Sequence, residues 1–316
     1  MQKINLDYQL LFVKFPIIFP LIYAFILYQF PNFESELIIL TILVLAETHF
    51  AATWPFLIDK VNSPYFKKYR ISLIVVPIII VIFSLLAFFT INKLFLLCFF
   101  AANMYHVTRQ SFGVSKLYCK NINENKTQEI SIYFFAFIFF LIGFFRFYLP
   151  LINEKHILTL NLIIGFLLIS FSVFYLLKYK YSENFLIFLT GCLIFYPICF
   201  VNNFIHAIIM GVTMHFTQYL YLVYNIYDYR KKDKSKNIEK SFLDRFYNYL
   251  IIIFLYSLIM TAFSFFGEAK NLYLKNLIII PIVGQMLHFY LDSQLWKFSE
   301  KYNRDNTLFY IKKFIK

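Results

Sequence analysis

The sequence predicts an all-α protein, a polytopic transmembrane helical bundle of about ten spans that forms one integral-membrane domain over residues 1–316. Three observations predict it. Sixty per cent of the 316 residues are hydrophobic and only 15% are charged, with a mean hydropathy of +0.66, which leaves too little polar surface to cover a soluble body. Apolar stretches of membrane-crossing length recur along the whole chain. Lys and Arg gather in alternate connections between those stretches, as the positive-inside rule requires.

The first apolar stretch, at about 9–30, has no small-residue cleavage site behind a short apolar core, so it reads as a retained helix rather than a signal peptide. Polar or charged breaks then divide the chain into stretches at about 35–58, 71–91, 94–116, 129–150, 157–177, 184–201, 203–227, 247–267 and 276–296. Each is about 18–25 residues long, which at 1.5 Å per residue spans a hydrocarbon core of roughly 30 Å. Only Val201-Asn202-Asn203 separates the seventh stretch from the eighth, so 184–227 is the region that admits another partition. The 43 Phe and 25 Tyr against 7 Gly point to compositional bias, and aromatic stripes are accordingly assigned to packing or lipid contact.

Charge tests the count independently. With the N-terminus in the cytoplasm, Lys3 and the connections at 59–70, 116–128, 178–183, 228–246 and from Lys297 onward carry 23 basic residues. The opposite connections carry four, Lys93, Lys155, Lys270 and Lys275, while Lys14, Arg109 and Arg146 fall inside spans. Both termini are therefore expected in the cytoplasm, in a multi-pass protein of a bacterial inner membrane. The net charge of +13 serves topology, and no nucleic-acid or protein partner is inferred. The run Arg230–Lys236 reads as a solvated topology determinant. The tail, with Leu308, Phe309, Ile311, Phe314 and Ile315 among lysines, has the pattern of a segment lying along the membrane surface. Cys98, Cys119, Cys192 and Cys199 form no CxxC pair and read as small buried hydrophobes.

The histidines carry the chemistry. His49, His106, His215 and His288 fall on spans two, four, eight and ten, all running from outside to inside. They precede the next cytoplasmic basic residue by 11, 10, 15 and 9 residues. Three thus share nearly one depth and His215 lies about one turn deeper. One such imidazole alone reads as a residue hydrogen-bonded to a neighbouring helix. Four at one level read as a shared metal site, because coordinating groups are expensive in lipid and imidazole suits iron, zinc and copper.

Around them, Glu47 lies on nearly the opposite side of its helix from His49. Arg109 and Gln110 stand one turn below His106, and Asp292 one turn below His288. Arg109 and Asp292 can form an ion pair, Asp292 can accept an N–H bond from a ligating imidazole, or Arg109 can snorkel to the interface. His206, nine residues before His215, points to the other face of its helix about 13 Å away and is not expected at the site. His156 belongs to an outer connection, Arg146 reads as snorkelling, and Lys14 as either paired or lipid-facing.

This pattern resembles the Brp/Blh-type membrane β-carotene dioxygenases, in architecture and histidine spacing more than in local identity. Intervals of 57, 109 and 73 residues separate the four histidines. The family motifs, roughly PHGxxD, HFGxxD, HxxxH and PHxxxxD, correspond here to Glu47-Thr48-His49-Phe50-Ala51-Ala52-Thr53, to His106-Val107-Thr108-Arg109-Gln110-Ser111-Phe112-Gly113, to His215-Phe216-Thr217-Gln218-Tyr219 and to His288-Phe289-Tyr290-Leu291-Asp292. The first motif lacks its Pro, Gly and Asp. Tyr219 stands where the third would have its second His, and the last is one residue shorter to its Asp. The resemblance covers most of the chain from the second span onward. It implies an Fe(II) oxygenase in which His49, His106, His215 and His288 are the metal ligands and dioxygen and a lipophilic substrate are its reaction partners. In that reading Tyr105, Arg109, Gln110, Tyr219 and Asp292 orient ligands or substrate. For a carotenoid the reaction is oxidative cleavage of a double bond to aldehydes such as retinal, and for another lipid, hydroxylation or desaturation.

A di-iron hydroxylase would need about eight ligands, often in HxxxH or HxxHH pairs that this sequence lacks, and a haem would leave two of the four histidines unexplained. The reading from another class is a proton- or cation-coupled transporter with the four histidines, Glu47 and Asp292 as a relay. The chain has no GxGxxG, P-loop, GxSxG or DDxxD motif, which excludes nicotinamide, nucleotide, serine-hydrolase and prenyltransferase chemistry of those types.

Overall fold

The computed structural model describes residues 7–233, 246–268 and 274–315, and every regular element among them is helical. A π turn at Leu10–Lys14 leads to α1 (Ile18–Gln29). The run α2 (Glu34–Thr41), a π turn (Ile42–Ala46) and α3 (Glu47–Ile58) is followed by the short α4 (Ser63–Lys68). Then come α5 (Arg70–Thr90), α6 (Asn92–Tyr118), α7 (Ile122–Gly143), α8 (Glu154–Tyr179), α9 (Glu183–Leu193), α10 (Phe204–Lys232), α11 (Phe246–Glu268) and α12 (Ile279–Leu295). Two short helices, α13 (Lys301–Asn303) and α14 (Phe309–Phe314), end the chain. Lys3, Lys234, Lys236, Lys240, Arg245, Lys270 and Lys316 of the charge pattern lie outside the described residues.

Among the described residues, five helices are long and apolar enough to cross a membrane: Pro31–Ile58, Arg70–Thr90, Ile122–Tyr148, Glu154–Tyr179 and Tyr247–Gly267. Their outward faces are apolar. Phe83 of α5, Phe166 and Leu177 of α8 and Phe254 of α11 are all exposed, as suits helices whose solvent is hydrocarbon rather than water.

Two of the ten predicted stretches are interrupted beside a proline. The stretch at 9–30 breaks at Phe15-Pro16. Proline has no N–H for the helical ladder and pushes its predecessor out of the helical region, and Phe15 sits at φ −147°, ψ 69°. What remains, α1, has 12 residues, about 18 Å of helix and too short for a hydrocarbon core. The second departure is at 184–201, where α9 stops at Leu193 and a 3-10 turn spans Tyr196–Cys199 around Pro197. Part of the C-terminal tail packs on the protein. Tyr310, Ile311 and Phe314 are buried, the last against the rings of Tyr221 and Tyr229.

The chain divides into two compact units, Met1–Ile38 with Asn103–Gln218, and Ile39–Ala102 with Tyr219–Lys316. In the first, Tyr175 stacks on Phe188 with centroids 4.5 Å apart, beside the fully buried Ile132, Phe135 and Phe139. Backbones approach closely where α10 passes the end of α9. A Cβ on Gly211 would lie 1.9 Å from the Ile194 carbonyl oxygen. Lys14, predicted as paired or lipid-facing, is paired. Its buried ammonium reaches Glu183 and lies 3.8 Å from Asp7.

In the second unit Ala87 and Phe95 pack with Ile279 and Val283. Below them is an ion pair that water barely reaches, Arg230 Nη1 to Asp59 Oδ2 at 2.8 Å, with side-chain exposures of 6% and 0%. The guanidinium also donates to the Asn306 carbonyl at 2.7 Å and lies over the Phe56 ring at 4.6 Å. Breaking such a pair strands a buried charge.

Two stability outcomes follow from these contacts. Asp59→Ala should destabilise the protein by about 3–5 kcal/mol, read as a lowered denaturation midpoint in detergent, whereas Asp228→Ala in the exposed pair with Lys232 should leave the midpoint unchanged. Gly211→Ala should reduce the yield of monodisperse protein in fluorescence-detected gel filtration. Gly165→Ala, whose Cβ would meet nothing within 4 Å, should not.

Candidate metal centre

The second unit supplies His49 on α3 and His288 on α12. Three local features set them. The π turn at Ile42–Ala46 inserts a residue into the helical ladder just before Glu47 and so rotates the face that follows, a device often found at functional sites. Its carbonyls are taken up by side chains: Thr48 donates to Val44 at 2.6 Å and to Leu45 at 3.1 Å, and Ser257 of α11 donates to Leu43. On α12, Gly284 lets Tyr256 approach, since a Cβ there would meet the Tyr256 hydroxyl at 2.9 Å, and His288 follows one turn later.

Both imidazoles are fully buried, and their ring centroids are 4.5 Å apart at an angle of 69°. Tyr219, from the part of α10 in this unit, places its ring 4.3 Å from that of His49 and 5.8 Å from that of His288. Thr53, one turn after His49 on α3, lies 2.8 Å from the Tyr219 hydroxyl and 2.8 Å from His288 Nδ1. Asp292 is buried and accepts the Trp296 indole N–H at 2.6 Å. Its carboxylate also interacts electrostatically with the Tyr219 hydroxyl. Glu47 is buried as well and accepts a 3.4 Å bond from the Gln285 amide.

The first unit supplies His106 on α6 and His215 on α10. Both are buried, with ring centroids 5.6 Å apart and planes at 90°. The hydroxyls around them fold back onto their own helices. Thr108 donates to Met104, Thr213 to Met210, and Thr217 to Thr213 and Met214, so these side chains add no unmet polar group to a dry interior. The other predicted residues of α6 separate by face. Gln110 is half-buried, whereas Tyr105 and Arg109, one turn apart, are exposed, with Tyr105 beside the Tyr133 ring at 6.5 Å.

The remaining histidines have other duties. His206, buried in the first unit, has Nδ1 2.7 Å from the Tyr23 hydroxyl and Nε2 2.8 Å from Glu34 Oε1, so protein groups occupy both ring nitrogens. His156 is exposed and completes a capping box at the start of α8, its Nδ1 accepting the Asn153 N–H at 3.4 Å.

His49, His106, His215, His288 and Asp292 each belong to a buried group of side chains able to hold a metal ion. The donor chemistry suits one: neutral imidazoles with a carboxylate nearby are a set for iron, zinc or copper. Sequence reasoning missed Thr53 and Trp296. The one available signal was spacing, since Thr53 stands four residues after His49 and Trp296 four after Asp292, each pair on one helical face.

Comparison with protein-family models finds no match, and neither a curated protein nor a solved structure matches this chain.

Proposed function

We propose that the protein is a membrane-embedded, iron-dependent oxygenase in which His49, His106, His215 and His288 hold one ferrous ion and a carotenoid or other lipophilic substrate is oxidised with dioxygen. The observation that carries this reading is that each compact unit buries a pair of facing imidazoles, His49 with His288 and His106 with His215. Their similar depth along four spans of one predicted direction supports a single ion. The ten-span arrangement in a bacterial inner membrane, with both termini cytoplasmic, belongs to the same proposal, as does kinship with the Brp/Blh-type enzymes.

Iron held there would supply dioxygen activation, which for a carotenoid would put one oxygen atom on each carbon of the cleaved double bond to give two aldehydes, and which for hydroxylation or desaturation of another lipid would need a two-electron reductant as well. The chain's own groups then divide the remaining work. Tyr219 and Asp292 orient the ligand pair of their unit. Gln110, at the border of the buried face of α6, and Tyr105 and Arg109, on its exposed face, are left to meet a substrate arriving from the bilayer. No protein nucleophile is required.

One observation favours the transporter instead, the buried Glu47 carboxyl beside Gln285, because an ionisable group in that setting is a common proton-relay element. Bound metal separates the two. Elemental analysis of detergent-purified protein should find iron near one equivalent, with no haem band in the optical spectrum. His49→Ala, His106→Ala, His215→Ala and His288→Ala should each lose the iron, while His156→Ala and His206→Ala should keep it. Full occupancy in three of the four ligand variants would end the shared-site reading. No metal in any sample after anaerobic ferrous reconstitution would transfer the reading to the transporter.

A further inference from the structure

The buried polar side chains of the second unit form a connected series with an acceptor at one end. Trp296 has only a donor, and its indole N–H is spent on Asp292 Oδ1 at 2.6 Å. The Asp292 carboxylate also interacts with the Tyr219 hydroxyl, and because an ionised carboxylate can only accept, the Tyr219 O–H is assigned to it. With its hydrogen so directed, the Tyr219 oxygen receives the Thr53 O–H at 2.8 Å, and the Thr53 oxygen is left to accept from His288 Nδ1, also at 2.8 Å. A hydroxyl carries one hydrogen, so fixing the direction at the carboxylate fixes it at each link back to the imidazole.

We infer that Thr53 is a positioning residue. Through it and Tyr219, Asp292 holds His288 in the Nδ1–H tautomer and presents Nε2, with its lone pair, as the ligating nitrogen. Metal-bound imidazoles ordinarily donate their second N–H to a carboxylate or carbonyl that sets tautomer and ring orientation. Here the carboxylate acts through two hydroxyls, of Thr53 and Tyr219. This explains why Tyr219 stands four residues after His215 where an HxxxH pattern would place a histidine: the position serves a hydrogen-bond relay. The consequence for ligation rests on the metal-site reading above. The tautomer does not, and it can be measured without metal.

The test uses metal-free, full-length protein in detergent, labelled with 15N at its six histidines. Two-bond 1H–15N correlations report each ring's tautomer, and the His288 signals are those lost in His288→Asn. Wild type and Thr53→Ser should show His288 as Nδ1–H. Thr53→Val, and Tyr219→Phe as a second break that keeps the ring, should shift it toward Nε2–H. In anaerobic ferrous titrations, Thr53→Val should weaken binding about 10–100-fold, with Thr53→Ser restoring it.

A wild-type His288 found as Nε2–H, or one whose tautomer is indifferent to both Thr53→Val and Tyr219→Phe, would overturn the relay even if iron bound stoichiometrically. A tautomer that responds as expected in a protein that takes up no iron would uphold the relay while the metal reading fails. Should Thr53→Val not fold, Tyr219→Phe and the Thr53→Ser control carry the same decision.

Discussion

A buried carbonyl, whether under lipid or under neighbouring helices, has no water to bond, so each interruption of a helix in this protein must be met by a side chain. The break at Phe15-Pro16 frees the carbonyls of Val13 and Lys14, and Gln218 and Thr190 donate to them at 2.7 and 2.9 Å. The π turn at Ile42–Ala46 is met by Thr48 and Ser257. The 3-10 turn around Pro197 exposes the carbonyls of Ile198 and Cys199, which receive the Arg146 guanidinium and the Asn161 amide. Arg146 therefore has a protein partner and does not depend on snorkelling to the interface. Apart from that of Thr48, these compensations come from residues distant in sequence, and they dictate where polar residues must stand on α9, α10 and α11.

The same constraint explains which helices look least like membrane spans. α6 and α10 are long but fall outside the five that are apolar enough to cross by composition alone, because one face of each is given over to imidazoles, hydroxyls and amides that point into a unit. The helices with little buried surface, α5 and α8, can be apolar nearly all round. Polarity is thus concentrated on the elements that build the candidate centre. A buried imidazole without coordination or hydrogen bonding would be a standing cost, and the arrangement around His206, with Tyr23 on one nitrogen and Glu34 on the other, shows how this fold settles that cost when the histidine is structural.

Tyr219 and Asp292 each have a physical place in the second unit. Tyr219 is a link in a hydrogen-bonded series, touching Thr53 and facing the rings of His49 and His288. The four-residue spacing from His288 to Asp292 places the carboxylate one helical turn away, where it accepts from Trp296 and interacts with Tyr219.

The sequence by itself determined the helical class, the approximate positions of most helices and the placement of four histidines on separate helices. Hydrophobic runs and basic residues encode these directly, through the cost of placing polar groups in hydrocarbon. It also placed Asp292 one turn from His288, because helical periodicity makes neighbours along a single helix predictable. Tertiary structure alone decided which face each helix turns inward: His106 buried while Tyr105 and Arg109 on the same helix are exposed. It alone joined Thr53 to His288 across 235 positions and broke the first predicted span into two pieces. Periodicity fixes the angle between residues on one helix but says nothing of how that helix is rotated against its neighbours, and that rotation is set by packing, glycine approaches and the carbonyls left to be satisfied.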